Sequence, residues 1–305
     1  MYNSMIVCPI CNPINIGSTS IEIIIEEILD SLSVRYEKNN RHIDGIRPKE
    51  LDFWLPDYRI GIECNGCYWH SGKRMSKLDA DKRESCEKAG IRLLTFWEDD
   101  IKDHSDRIKS YLKSVLGLNM NRIGARLCEI RKVPAPESRK FLDRYHLQGN
   151  VNASVRLGLY YKGQLLEIMT FGRHRRNLGS RNSGNTEWEL YRLCTKDNWT
   201  VQGGASKLLS YFKRTYSDWT EIISYCHREI SDGTVYGKLG FSCKGITQQG
   251  FSYIKKPDYH RINRFSLRKS EIDDGSGRTA DEILESLGYA KCWDAGNTVW
   301  EIRRT

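Results

Sequence analysis

The sequence predicts an α/β protein, with a mixed sheet flanked by helices over residues 18–118 and a second α+β domain over 137–305. Three observations carry this. Residues 19–32 (TSIEIIIEEILDSL) place apolar side chains at helical spacing, and Thr19 stands three positions before Glu22, the start of a capping box. LDFWLPDYRIGIECNG holds two β-rich runs, 51–55 and 59–64, around the turn signal Pro56-Asp57, which reads as a hairpin. Beyond Pro134 and Pro136 the texture changes to short strands such as VRLGLYY and QLLEIMTFG about a Lys162-Gly163 turn.

The remaining amino-terminal elements follow from the same periodicities. Residues 77–89 read as a helix, 91–97 (IRLLTFW) as an apolar strand and 100–116 as a helix, giving the order αββαβα. That order favours a mixed sheet with helices on its faces. Residues 119–136 read as a linker, and residues 1–17, with Cys8-Pro9-Ile10-Cys11, as a vestigial zinc-knuckle-like segment. A chain of 305 residues is long enough for two ordinary cores.

With 39% hydrophobic and 29% charged residues the composition is globular, and no run approaches the roughly 18 apolar residues of a membrane span. The start carries no leader pattern, so the expected compartment is a cytoplasm, in which the ten cysteines stay reduced. Charge is unevenly placed. Residues 120–305 carry 31 Lys+Arg against 20 Asp+Glu, a net +11, and residues 1–119 carry 17 against 19, a net −2. A basic half beside a carboxylate-rich half suits a polyanion-binding region joined to a metal-binding one.

Phosphodiester hydrolysis requires hard cations held by oxygen ligands and a group that handles a water. Residues 50–82 supply such groups densely: Asp52 on the first hairpin strand, Glu63 on the second, then Asn65, His70 and Asp79. An antiparallel pair can bring Asp52 and Glu63 together at one metal. Bland alternatives exist at each position: Glu22 as a capping residue, Asp52 as a strand-edge acid, His70 as a packed histidine and Asp79 as a helix-start acid.

Taken together, ELDFWLPDYRIGIECNGCYWHS, the D-x-x-K of Asp79 to Lys82 and the strand GIRLLTFWEDDI resemble one branch of the PD-(D/E)xK nuclease superfamily, the very-short-patch-repair-like one. Within it they are most similar to the phage homing endonucleases with an EDxHD active-site pattern, over roughly residues 18–102. The resemblance implies a PD-(D/E)xK-type sheet and a double-stranded DNA substrate cut inside a bacterial host, the oligomeric state staying open between monomer and homodimer. It implies that the pattern falls on Glu22, Asp52, His70 and Asp79, with Glu26 as fallback for the first. Asp52 would bind Mg²⁺ or Mn²⁺, Glu22 and Glu63 would assist through metal or water, and His70 and Asp79 would manage the water or the leaving group. Two departures stand out. The superfamily lysine two positions after the second acid is Asn65 here, and the repair branch's structural zinc finds only Cys67, then Gly72 and Arg74. A zinc on Cys8 and Cys11, with or without Cys64 and Cys67, is the remaining metal reading.

In the second domain, ELYRLCTKDNWTVQGGASKLLSYFKRTY reads as a strand, a turn at Gly203-Gly204 and a helix from about Ala205, followed by EIISYCH and VYGKLGF. It resembles the acyl-CoA-binding core of N-acetyltransferase-like folds, including phage DNA-modification proteins on that scaffold. The turn would expose N–H groups at a helix N-terminus, a ready anion site. If the scaffold serves DNA binding, Arg173, His174, Arg175, Arg176 and Arg181 form one phosphate-contacting loop. Lys255, Lys256, Arg261, Arg264, Arg268 and Lys269, interleaved with Tyr253, Tyr259 and Phe265, form a second run. Three functions compete: a homing-type endonuclease, a mismatch-directed nicking enzyme, and a DNA-binding or DNA-modifying protein with a decayed nuclease site. Asp52, Glu63, His70 and Asp79 together argue against decay, and cleavage of a duplex DNA library would separate the first two.

Overall fold

Helix α1 (Ser20–Ser31) starts as its capping signal predicts, the Thr19 side chain accepting the Glu22 N–H. The computed structural model describes residues 19–41, 43, 50–173 and 186–304. Strands β1 (Glu37–Asn40), β2 (Leu51–Leu55) and β3 (Ile60–Asn65), helix α2 (Lys73–Lys88), strand β4 (Arg92–Trp97) and helix α3 (Glu98–Val115) complete the amino-terminal unit. The sheet order is β1-β2-β3-β4, antiparallel except for β3 and β4, whose parallel pairing needs the crossover that α2 supplies. Ile25 and Leu29 of α1 bury against Phe53, Ile62, Leu94 and Phe96 of the sheet and Ile101, Ile108 and Leu112 of α3. On the opposite face Cys86 of α2 joins Trp54 and Leu93. Strand β1 is the one element absent from the expected order: its residues EKNN carry no β-branched or aromatic side chain, and pairing with β2 rather than propensity extends them.

The rest of the chain runs β5 (Asn121–Gly124), β6 (Glu129–Lys132), α4 (Ala135–Tyr145), β7 (Val155–Tyr161), β8 (Gln164–Arg173), β9 (Glu187–Thr195), β10 (Trp199–Gln202), α5 (Gly204–Thr215), β11 (Glu221–His227), α6 (Thr234–Lys238) and β12 (Ser242–Ile246). It ends with β13 (Phe251–Lys255), β14 (Ile262–Asn263), α7 (Lys269–Ile272), α8 (Ala280–Ser286), β15 (Tyr289–Trp293) and β16 (Asn297–Arg303). A seven-stranded sheet takes the order β12-β16-β11-β9-β8-β7-β6. Lys162 and Gly163 join β7 to β8 with φ of 49° and 78°, the left-handed pair that a two-residue hairpin requires. Helix α5 buries Leu208, Leu209 and Phe212 against Leu157, Phe171 and Trp188. Residues 119–136 are not a free linker: β6 is the edge strand of this sheet and β5 pairs in parallel with β10, so backbone hydrogen bonding orders most of that stretch.

Residues 137–305 do not all build one sheet. Between β12 and β16 the chain leaves the large sheet to form a separate one, β14-β13-β15. One face of this lobe turns to the amino-terminal unit, where Ile254 and Cys292 bury with Cys67 and Trp97. Gly72 N–H donates to the Lys291 carbonyl at 2.8 Å. The loop after β11 seats on the free edge of β4, with Thr95 N–H donating to the Glu229 carbonyl at 2.8 Å. Among the described residues no helix is long and apolar enough to cross a membrane.

Candidate active site

Asp52 and Glu63 face each other across β2 and β3, one position beyond the last regular pair, Phe53 with Ile62. There the carboxylates take over the backbone donors: Asp52 Oδ2 accepts the Cys64 N–H at 2.7 Å, and Glu63 Oε1 accepts the Asp52 N–H at 3.4 Å. Strand alternation puts both acids, with Asn65, on the face that α2 covers. Helix α2 presents Asp79, Lys82, Arg83 and Cys86 at the spacing of one helical face. Lys82 Nζ donates to Glu63 Oε2. Arg83, buried, donates to the carbonyls of Leu93 and Arg228 and to Thr95 Oγ1, which fixes the helix on the sheet.

Burial raises the Asp52 carboxyl above its usual range, while the Cys64 N–H and Lys82 pull it back and Glu22 pushes it further up. Glu63 is pushed up to about 7, by burial first and then by Asp52, against the pull of Lys82. The pair is therefore short of positive charge. Glu22 sits near enough for its charge to act on Asp52, whereas Glu26 is engaged by Lys38 at 2.7 Å and by the Tyr36 hydroxyl at 3.1 Å. Glu22 in turn accepts the Thr19 hydroxyl at 2.7 Å, so both helix acids have partners.

His70 ends a tight turn in which its N–H donates to the Gly66 carbonyl. Its Nδ1 lies 2.9 Å from Asp79 Oδ2, and its ring meets the Trp97 ring edge-on at 6.2 Å. Next to it Trp69 is 76% exposed. Tyr68 packs on Tyr259 at 5.2 Å, and Lys256 lies over the Tyr68 ring at 5.3 Å. The lobe thus brings an aromatic and a cation to the mouth of the site.

The other expected site residues distribute unevenly. Arg173 ends β8 with its guanidinium over Trp188 at 4.0 Å. Lys255 covers Tyr289, and Arg264 covers Phe251 and Phe265. Arg261 is a correction as a phosphate contact. Its Nε lies 2.9 Å from Asp99 Oδ1 and its Nη2 2.5 Å from Asp100 Oδ2, so two carboxylates already neutralise it and it ties the lobe to α3. His174, Arg175, Arg176, Arg181, Cys8 and Cys11 lie outside the described residues. Cys64 and Cys67 do not converge as a zinc pair. Cys64 is buried in the core under α1, and Cys67, its thiol raised to about 12 chiefly by burial, is buried with Trp97 and Cys292. Lys82 is the residue that reading along the strand overlooks, because it arrives from α2 rather than from the position Asn65 occupies.

Comparisons with known proteins find likenesses on both parts of the chain. The family model described as DNA mismatch endonuclease Vsr matches residues 11–77. The chain belongs to the Mom protein family, whose model matches residues 127–289, more than half of its length. Among solved structures, the Homing Endonuclease I-Bth0305I Catalytic Domain is 27% identical with a TM-score of 0.28, over 34% of this chain and 100% of that one. PaiA N-acetyltransferase from Thermoplasma acidophilum in complex with coenzyme A is 16% identical with a TM-score of 0.27, over 49% of this chain and 60% of that one. The ribosomal-protein-S18-alanine N-acetyltransferase from Escherichia coli is 8% identical with a TM-score of 0.33, over 58% and 93%. No curated protein matches the chain.

Proposed function

We propose that the chain is a homing-type endonuclease that hydrolyses phosphodiester bonds of double-stranded DNA at a specific site, using Mg²⁺ or Mn²⁺ at Asp52 and Glu63. The observation that carries this is the buried cross-strand carboxylate pair, which Lys82 relieves only in part. Hard oxygen donors short of positive charge fit a divalent cation. Among the described residues no three His, Cys, Asp or Glu side chains converge on one point. A cation of the Mg²⁺ kind takes one or two carboxylates and completes its shell with water and phosphate oxygens. When bound, it supplies Lewis-acid polarisation and charge stabilisation at the phosphoryl group.

The chain's own residues divide the rest. Lys82 holds Glu63 towards its ionised form and adds a positive charge beside the scissile phosphate. Asp79 anchors His70 through Nδ1 and leaves Nε2 to exchange a proton with the water or the leaving oxygen. Glu22 adds an acid at the edge of the pair. Trp69, Tyr68, Tyr259 and Lys256 offer stacking and cationic contacts at the mouth. Arg173, Lys255 and Arg264, with His174, Arg175, Arg176 and Arg181, grip phosphates.

The test is incubation of the full chain and Mg²⁺ with a broad library of duplex DNA, followed by sequencing of the ends. Ends confined to one sequence are expected. A second reading, mismatch-directed nicking, is supported by the description of the family model over residues 11–77, and nicks confined to mismatched duplexes would replace the first by it.

A further inference from the structure

The turn before α5 has the geometry its two glycines predict, with Gly203 left-handed (φ 75°) as the cap and Gly204 opening a twelve-residue helix. The charges around it are the reverse of an anion site. Glu167 of β8 lies directly beneath: a Cβ on Gly204 would stand 2.2 Å from Glu167 Oε2, so glycine is the residue that admits this carboxyl. Glu167 is 3% exposed and has no hydrogen-bond or ionic partner among the described residues, burial alone setting its titration. It stands opposite Thr195 on β9, just where the pairing of β8 with β7 shifts register. Lys207, the lysine of the first turn, points away and donates to the carbonyls of Ala125 and Cys128 at 2.9 and 2.6 Å. The carboxyl lines a cleft of about 280 Å³ whose walls include Leu193, Trp199, Val201, Val235 and Leu239.

A buried carboxyl left without partners is costly unless a ligand supplies them. We propose that this cleft binds a ligand that presents planar N–H donors, an amidine or a carboxamide, to Glu167, and that it rejects diphosphates despite its helix N-terminus. The flat apolar wall of Trp199 suits a planar group, and an amidine matches a carboxylate with two parallel hydrogen bonds. The titratable groups around Glu167 are Lys238, which lines the cleft, and the thiols of Cys194 and Cys128, raised by burial first and further by the Glu167 charge. Burial raises Glu167 to about 8. An amidinium binds the ionised carboxylate, so its affinity should grow as pH rises through that value.

Isothermal titration of the full chain with benzamidine and with inorganic pyrophosphate tests this. Benzamidine should bind saturably, more tightly at about pH 9 than at about pH 7, and at least ~10-fold more weakly to Glu167→Gln, a loss of about 1.4 kcal/mol. Pyrophosphate should neither bind nor displace benzamidine. Absence of benzamidine binding, or saturable pyrophosphate binding to the parent chain, would overturn the proposal. Glu167→Ala, checked for an unchanged melting temperature, serves as the second variant and should lose benzamidine in the same way.

Discussion

Asp52 accepts a backbone N–H with one oxygen, so Asp52→Asn keeps the shape and an acceptor while removing the charge. Cleavage should fall by about 10²–10³-fold or more, with DNA affinity in gel shifts changed by less than roughly threefold, because a charge that matters only as the phosphoryl group reacts is lost. Turnover within tenfold of the parent would remove Asp52 from the site. Lys82→Met carries a sharper signature. Lys82 lowers the Glu63 carboxyl, so its removal should raise that group further and move the acid limb of the pH–rate profile upward. A profile that keeps its shape would leave Lys82 a role in packing alone. Asp52, Glu63, His70 and Asp79 could be put forward together from the sequence because they sit in one short run of it. Lys82 was visible as the end of a D-x-x-K spacing yet not as the partner of Glu63, since a strand-to-helix contact over nineteen residues has no periodicity to betray it.

Elements show the same division. Helices α1 and α3 were readable from their apolar stripes and strands β2 to β4 from their apolar runs, whereas α2 buries only Ser76, Arg83 and Cys86, β1 is held by its neighbour and the lobe's docking surface is set by contacts far apart in sequence. That docking has a titratable part. His260 meets Asp258 through Nδ1 and Asp103 of α3 through Nε2, and these two bonds, that with Asp258 first, raise its pKa above the ordinary 6.5. A raised histidine contributes fully below the unfolded value and loses its contribution as pH rises through the folded one, so this clasp should loosen above neutrality rather than below it. Arg261 on Asp99 and Asp100 stays charged throughout and limits the effect to the neighbouring segment. Hydrogen exchange of residues 258–263, corrected for intrinsic rates, should therefore accelerate between about pH 6 and pH 9, and His260→Gln should remove the pH dependence. Equal slopes in the two proteins would mean the histidine is a bystander.

At the scale of the molecule, charge alone assigns cutting to one half and gripping to the other, and the packing qualifies this. Residues 1–119, at −2, should bind DNA poorly, and residues 120–305, at +11, should bind duplex with an affinity that falls steeply with salt. A fragment ending near 119 also leaves Arg83 without the Arg228 carbonyl, Trp97 Nε1 without Glu229 at 3.0 Å, and the Thr95 N–H without the Glu229 carbonyl. In the fragment these donors turn to water, so each lost protein–protein hydrogen bond costs roughly 0.5–1.5 kcal/mol. The lobe's cover over Cys67 and Trp97 goes as well, and with it the support behind His70. The amino-terminal fragment should thus melt well below the full chain and cut no DNA even at low salt, where weak binding is no obstacle. A full chain carrying Arg228→Ala and Glu229→Gln should lie between, because the Glu229 backbone still pairs with β4 while the carboxylate that receives Trp97 loses its charge. Calorimetry of the three proteins, with cleavage measured at matched occupancy of DNA, decides the matter: a fragment as stable and as active per bound DNA as the full chain would show that the second unit only grips.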